Sequence, residues 1–283
     1  MCIFIKKIMK NILVPIDFSD ASFNAISYAA FLANAFNAEL ILLHAYNNGV
    51  ISENGNTEID NPSEEVETAD EKFIRNEMDG IVRRFTVKIG GIIRKGSPVQ
   101  LIEEVAKELD PEIIVMGMKG KGESISAFGS TTVKMITRTL NPLLVIPANA
   151  GYQTINTITL ASDFKRQDFQ LHFPVLEQLI KRFHPFVEIL NIQKKDSKLT
   201  PTMIAGKMAT ELIWDKYDHS FNIIEKNDVE KGIHNFIKNH PTDLLVMIAR
   251  TRHFFNQMFE PSHTKKMTAL TKTPLLILHE QVK

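Results

Sequence analysis

The sequence predicts an α/β protein built from two tandem doubly wound domains, each a five-stranded parallel sheet flanked by helices. The first observation is internal repetition. Asn11-Ile12-Leu13-Val14-Pro15-Ile16-Asp17-Phe18 near the start is answered by Thr157-Ile158-Thr159-Leu160-Ala161-Ser162-Asp163-Phe164. Pro111-Glu112-Ile113-Ile114-Val115-Met116 and Asn141-Pro142-Leu143-Leu144-Val145-Ile146 are answered by Thr242-Asp243-Leu244-Leu245-Val246-Met247 and Thr273-Pro274-Leu275-Leu276-Ile277-Leu278. Three matched segments in one order mark a duplicated domain, with copies at 1–149 and 150–283 meeting near Asn149-Ala150-Gly151-Tyr152. The second observation is that short apolar runs alternate with helix-period segments, the pattern of a parallel sheet with right-handed crossovers.

Within the first copy each element has a local cause. Ile12 to Ile16 is a continuous apolar run, as in a strand covered on both faces. Ser19 or Asp20 can cap the helix whose inner face is Phe23, Ile26, Ala30 and Ala33. Glu39 to His44 reads as the second strand, Val66 to Phe85 as the second helix and Val87 to Ile93 as the third strand. Pro98 suits the first turn of a helix carrying Val99, Ile102 and Val105. Ile113–Met116 and Leu143–Ile146 are strands four and five, with a helix between them reaching about Thr139. The stretch from Glu53 to Glu71 holds eight acidic residues and no Lys or Arg, and reads as a solvated surface loop.

Composition narrows the function. With 283 residues the chain has room for two buried cores. Lys plus Arg and Asp plus Glu number 33 each, so a broad nucleic-acid surface is not expected. The single cysteine, Cys2, excludes an internal disulfide, and no apolar run approaches bilayer length. A cytoplasmic protein with no membrane partner is the expectation. Nine histidines, eight of them in the second half, show no metal-binding spacing. Gly91 to Pro98 has P-loop glycine spacing but lacks the Lys, and no Gly-x-Gly-x-x-Gly follows the first strand.

A doubly wound sheet binds ligands beyond the carboxyl ends of its strands, where strand order reverses. After strand four comes Gly117-Met118-Lys119-Gly120-Lys121-Gly122, and then Phe128-Gly129-Ser130-Thr131-Thr132 at a helix start. Glycines admit a phosphate to the backbone, a helix start offers unpaired N–H groups and hydroxyls, and Lys119 and Lys121 add positive charge. A flexible loop with ordinary capping is the alternative.

These segments, with Leu42-Leu43-His44-Ala45 and the Pro142 to Pro147 strand, resemble the universal stress protein family of the UspA type across nearly the whole chain. The resemblance implies an adenine nucleotide alpha hydrolase-like fold. It also implies a first half that binds ATP, ADP or AMP through a Gly-x2-Gly-x9-Gly-Ser/Thr signature; here eight residues, not nine, separate Gly120 from Gly129. Carried over by position, Pro15 and Ile16 line the base pocket and Asp17 lies near the adenosine and any Mg²⁺, with a helix cap as its other reading. Ala45 meets adenine through its backbone, and Met116 and Gly117 flank the nucleoside. Lys119, Gly120 and Lys121 meet the phosphates, closed by Gly129, Ser130 and Thr131. The resemblance further implies pairing of fifth strands, here within one chain, with homodimerisation and the protein partner left open. In the second copy Ile248, Thr251 and Glu260-Pro261 replace Gly117, Gly120 and Gly129-Ser130, so a structural role is expected there. No catalytic residue is assigned, and at most a slow ATPase is expected. A scaffold of the same fold that binds no nucleotide is the alternative.

Overall fold

The computed structural model describes residues 9–46, 49–51, 57–59, 64–118, 129–164, 173–193, 200–249 and 272–279. The first half runs β1 (Asn11–Ile16), α1 (Asp20–Phe36), β2 (Glu39–Tyr46), β3 (Gly49–Ile51), β4 (Thr57–Ile59), α2 (Glu64–Arg84), β5 (Lys88–Lys95), α3 (Pro98–Leu109), β6 (Ile113–Met118), α4 (Ser130–Arg138) and β7 (Leu143–Pro147). The second runs β8 (Thr157–Ala161), α5 (Pro174–Phe183), β9 (Phe186–Gln193), α6 (Pro201–Trp214), β10 (His219–Glu225), α7 (Val229–Asn239), β11 (Leu244–Ala249) and β12 (Leu275–His279).

Ten of these strands form one sheet in the order β10-β9-β8-β11-β12-β7-β6-β1-β2-β5. Each half contributes five parallel strands in the same internal order. The halves join through the antiparallel pair β7–β12, with Leu276 opposite Leu144. The central strands β1, β6 and β7 are buried nearly throughout, as their continuous apolar runs require, whereas the edge strand β5 is only half-buried.

One expectation needs correction. The acidic stretch is not a loop to Glu71, because α2 already begins at Glu64 and an antiparallel hairpin, β3 with β4, precedes it. Carboxylates in the first turn of a helix suit the positive end of its dipole, so acidic composition by itself does not mark a loop.

The repeat extends to details of backbone and side chain. Phe18 and Phe164 both take the left-handed conformation, with φ of 58° and 53°, immediately after the matched aspartates. Asn37 and His184 end α1 and α5 in the same conformation. Before β6 the buried Glu112 accepts the backbone N–H groups of Lys10 (3.0 Å) and Asn11 (2.7 Å). Before β11, Asp243 accepts those of Asn156 (2.8 Å) and Thr157 (2.9 Å), and also Gln153 Nε2. Each carboxylate thus satisfies strand-start donors that the ladder leaves unpaired.

Across the junction Phe31 of α1 stacks on Phe183 of α5 with centroids 5.8 Å apart, and Arg182 Nε donates to the Ala35 carbonyl at 2.8 Å. Tyr28 is buried in the same seam. Burial first, and the Asp243 carboxylate second, push its phenol pKa well above the ordinary range. A charge of the second half is therefore felt inside the first.

The halves diverge at one corner. Leu13, Ile41, Leu109 and Pro111 of the first half correspond to Thr159, Glu188, His240 and Thr242 of the second, with Thr159 and Glu188 paired across β8 and β9. Thr159 and Thr242 share a 2.9 Å hydrogen bond, while Glu188 Oε2 is buried without a partner. Burial raises the Glu188 pKa, opposed by His240.

Two measurements test this account. Asp243→Ala leaves three donors without their acceptor and is expected to lower unfolding stability by about 3 kcal/mol. A loss under about 0.5 kcal/mol in urea titrations would show that the anchor contributes little. Because the Glu188 pKa is raised on folding, its contribution is intact below the unfolded value of 4.5 and is lost as pH rises through the raised one. Glu188→Gln should therefore gain on the unmutated protein in melting temperature from pH 4 to pH 8, and a gap independent of pH would refute the assignment.

Candidate functional site

Strand order reverses between β1 and β6, whose crossovers leave in opposite directions, so their carboxyl ends part to leave a cleft. The cleft measures about 190 Å³ and is lined by Pro15, Ile16, Asp17, Ser19, Ala21, Ser22, Leu43, Ala45, Pro98, Ile102, Met116, Gly117, Gly129, Ser130, Thr131 and Thr132. Nine positions singled out in the sequence are brought together here: Pro15, Ile16, Asp17, Ala45, Met116, Gly117, Gly129, Ser130 and Thr131. Lys119, Gly120 and Lys121 lie outside the described residues, as do Thr251 and Glu260-Pro261 of the second half.

The walls differ in chemistry. Ile16, Leu43, Pro98, Ile102 and Met116 are apolar and suit a flat, uncharged ring. Opposite in character stands the start of α4, whose N-cap, Gly129, makes no side-chain capping bond. The first amides of that helix have no intrahelical acceptor, and together with the Ser130 and Thr131 hydroxyls they offer an anion several donors at a positive dipole end. Thr132, not among the sequence candidates, fixes this helix end by donating from Oγ1 to the Gly117 carbonyl at 3.1 Å. That bond joins α4 to β6 across a gap in sequence, which local pattern does not reveal.

Asp17 does not cap α1. The cap is Ser19, whose Oγ accepts the Ser22 N–H at 3.3 Å, while the Ser19 N–H and hydroxyl both donate to Asp17 Oδ1. The carboxylate thus braces the turn ahead of the helix and remains exposed on the cleft.

Gly117 also has a role that its position after strand four does not suggest. A Cβ there would lie 2.3 Å from the Ala21 carbonyl oxygen and 2.9 Å from the Ser22 nitrogen, both backbone atoms of α1. Glycine is demanded by the helix crossing the strand end, before any ligand is considered. Its counterpart Ile248 lines a small apolar cavity of about 40 Å³ with Leu160, Leu176, Ile180 and Trp214. The second half has filled that position with hydrocarbon.

Among the described residues no cluster of three or more His, Cys, Asp or Glu can hold a metal, and no helix is long and apolar enough to cross a membrane. Gly117→Ala is expected to destabilise the fold by about 3 kcal/mol or more, since rigid backbone must move. Thermal unfolding checks this, and a midpoint within about 1 °C of the unmutated protein would contradict it.

Residues 9–147 match the family model of the universal stress protein family. A solved universal stress protein from Archaeoglobus fulgidus DSM 4304 superposes with a TM-score of 0.72 at 16% identity, covering 96% of this chain and 98% of its own. A functionally unknown protein from Pseudomonas aeruginosa PAO1 gives a TM-score of 0.63 at 13% identity, covering 96% and 92%. No curated protein matches the sequence. At these identities the likeness is one of fold, and it spans both halves, whereas the family model covers the first alone.

Proposed function

Since the chain belongs to the universal stress protein family through residues 9–147, we propose that the cleft between β1, β2 and β6 binds one adenine nucleotide, ATP or its di- or monophosphate, in a stress-response or signalling protein. The observation that carries this reading is the pairing of an apolar wall with a helix start whose N-cap is glycine, in one cleft at the switch point of the sheet. A purine ring fits the first, and phosphate oxygens fit the second. In this reading Pro15, Ile16 and Ala45 hold the base, Met116 and Gly117 flank the ribose, and Gly129, Ser130 and Thr131 receive the phosphates. Lys119, Gly120 and Lys121 complete the phosphate contacts, their charges offsetting the anion.

A Mg²⁺ ion fits the same scheme only as the nucleotide's companion. Asp17 is the one carboxylate lining the cleft among the described residues, so phosphate oxygens and water would supply most of the ligands. The ion would neutralise phosphate charge beside Asp17. The two domains, 1–149 and 150–283, then divide the work: the first binds, and the second completes the sheet by pairing β12 with β7.

Gly129→Asp separates binding from folding. Among the described residues a Cβ at 129 meets nothing nearer than Thr132 Oγ1 at 4.0 Å, and aspartate is a favoured N-cap, so stability should hold or rise. The same carboxylate would occupy the anion's donors and repel phosphate. Calorimetric titration of the full chain with ATP, ADP and AMP, with and without Mg²⁺, should show one site in the unmutated protein and at least tenfold weaker binding in Gly129→Asp. No heat at millimolar nucleotide, or unchanged affinity in the variant, would reject the proposal.

A further inference from the structure

His44 ends the buried part of β2 next to Ala45, and it is tied at both ring nitrogens. Nδ1 lies 3.1 Å from the Ile16 carbonyl oxygen, an atom that only accepts, so Nδ1 carries the hydrogen. Nε2 lies 3.4 Å from Asp70 Oδ2 in α2, an ion pair that forms on the imidazolium, with both ring nitrogens protonated. The face of the ring is covered by Phe18, with centroids 4.2 Å apart, and Phe18 in turn meets Phe73 of α2 at 4.6 Å. Asp17 sits between the two residues that His44 touches. A left-handed backbone is costly for an aromatic residue, so the Phe18 corner needs outside support to persist.

The second half supplies a control within the same molecule. Its Phe164 repeats the left-handed corner, and Asn191, in the place of His44, donates Nδ2 to the Ser162 carbonyl at 2.7 Å. The carbonyl tether is therefore common to both halves. The second connection is not: among the described residues Asn191 Oδ1 is buried without a hydrogen-bond partner, whereas His44 Nε2 faces a carboxylate on the neighbouring helix. Among the described residues, His44 links the first corner to a helix through a side chain whose counterpart, Asn191, makes no such link.

We propose that His44 is a positioning residue whose Nδ1 sets the Asp17 corner for the nucleotide and whose Nε2, through Asp70, passes occupancy of the cleft to α2. The inference rests on the nucleotide reading above. It assigns the two nitrogens separable tasks, and α2 becomes the surface that changes when the cleft fills.

The test uses full-length chain, ATP titration calorimetry, and hydrogen exchange across residues 64–84. In the unmutated protein, saturating ATP should slow exchange in α2. His44→Leu removes both tethers and should weaken ATP at least tenfold. His44→Asn restores the carbonyl bond in the manner of Asn191, and should return affinity to within about threefold while leaving α2 exchange insensitive to ATP. Asp70→Asn should bind ATP within about threefold and likewise lose the response in α2. A His44→Asn variant as weak as His44→Leu, a His44→Leu variant that binds normally, or an α2 indifferent to ATP in the unmutated protein would each overturn the inference. If His44→Leu fails to fold, the His44→Asn and Asp70→Asn variants decide it. Absence of ATP binding by the unmutated chain would remove the nucleotide reading, and this inference with it, whereas binding combined with any of the preceding results removes this inference alone.

Discussion

The first turn of α1 crosses the end of β6 so closely that residue 117 has room for hydrogen alone. That contact fixes much of what surrounds the cleft. It sets where α1 must begin, and Ser19 caps it there with Asp17 bracing the preceding turn. From the next turn Asn24 donates to the carbonyls of Pro147 and Ala150, at 2.7 and 2.8 Å, tying the same helix to the exit of β7. Thr132 closes the circuit from α4 to the Gly117 carbonyl. The cleft is thus framed by backbone groups held by short bonds, an arrangement that keeps donors in place before any ligand arrives.

The second half shows what the sheet becomes when that contact is absent. There α5 begins at Pro174, eleven residues after Asp163, whereas α1 begins at Asp20, three residues after Asp17. Ile248 occupies the position of Gly117 and packs against Leu160 and Trp214. The strand order and the carboxylate anchor are kept, because they serve the sheet. Besides the corner around Glu188, a change lies at the carboxyl ends of the strands, where a parallel sheet carries its ligand chemistry.

The fold was legible because parallel strands covered on both faces must be continuous apolar runs, and a duplicated chain writes each of them twice. Leu143 to Ile146 and Leu275 to Leu278 announce themselves in this way. Ser19, Pro98 and the Gly129 helix start were legible for local reasons of capping. What escaped depends on distance in sequence. Ala21 and Gly117 are far apart in the chain, so the steric demand on the glycine looked like room for a ligand. Asp70 falls both in the acidic stretch and in the helix read from Val66 to Phe85, and neither reading places it beside His44. His44 was visible as a residue type in a motif, but its partners Ile16 and Asp70 come from two other elements.

The joining of β7 to β12 bears on how such a molecule can signal. Antiparallel pairing of two buried edges makes one continuous sheet, and Phe31 against Phe183 with Arg182 on the Ala35 carbonyl seals the helices above it. A junction of that kind resists rigid-body motion between halves, because sliding would break ladder bonds inside a buried sheet. Change on ligand binding is then directed to elements not locked into the seam. Helix α2 reaches the seam only at its last turn, where Arg84 donates to Tyr152; its other end lies away from the seam and meets the cleft's supporting corner through Asp70 and Phe73. The stiff seam and the tethered outer helix are therefore complementary: the first leaves the second as the place where occupancy can be read.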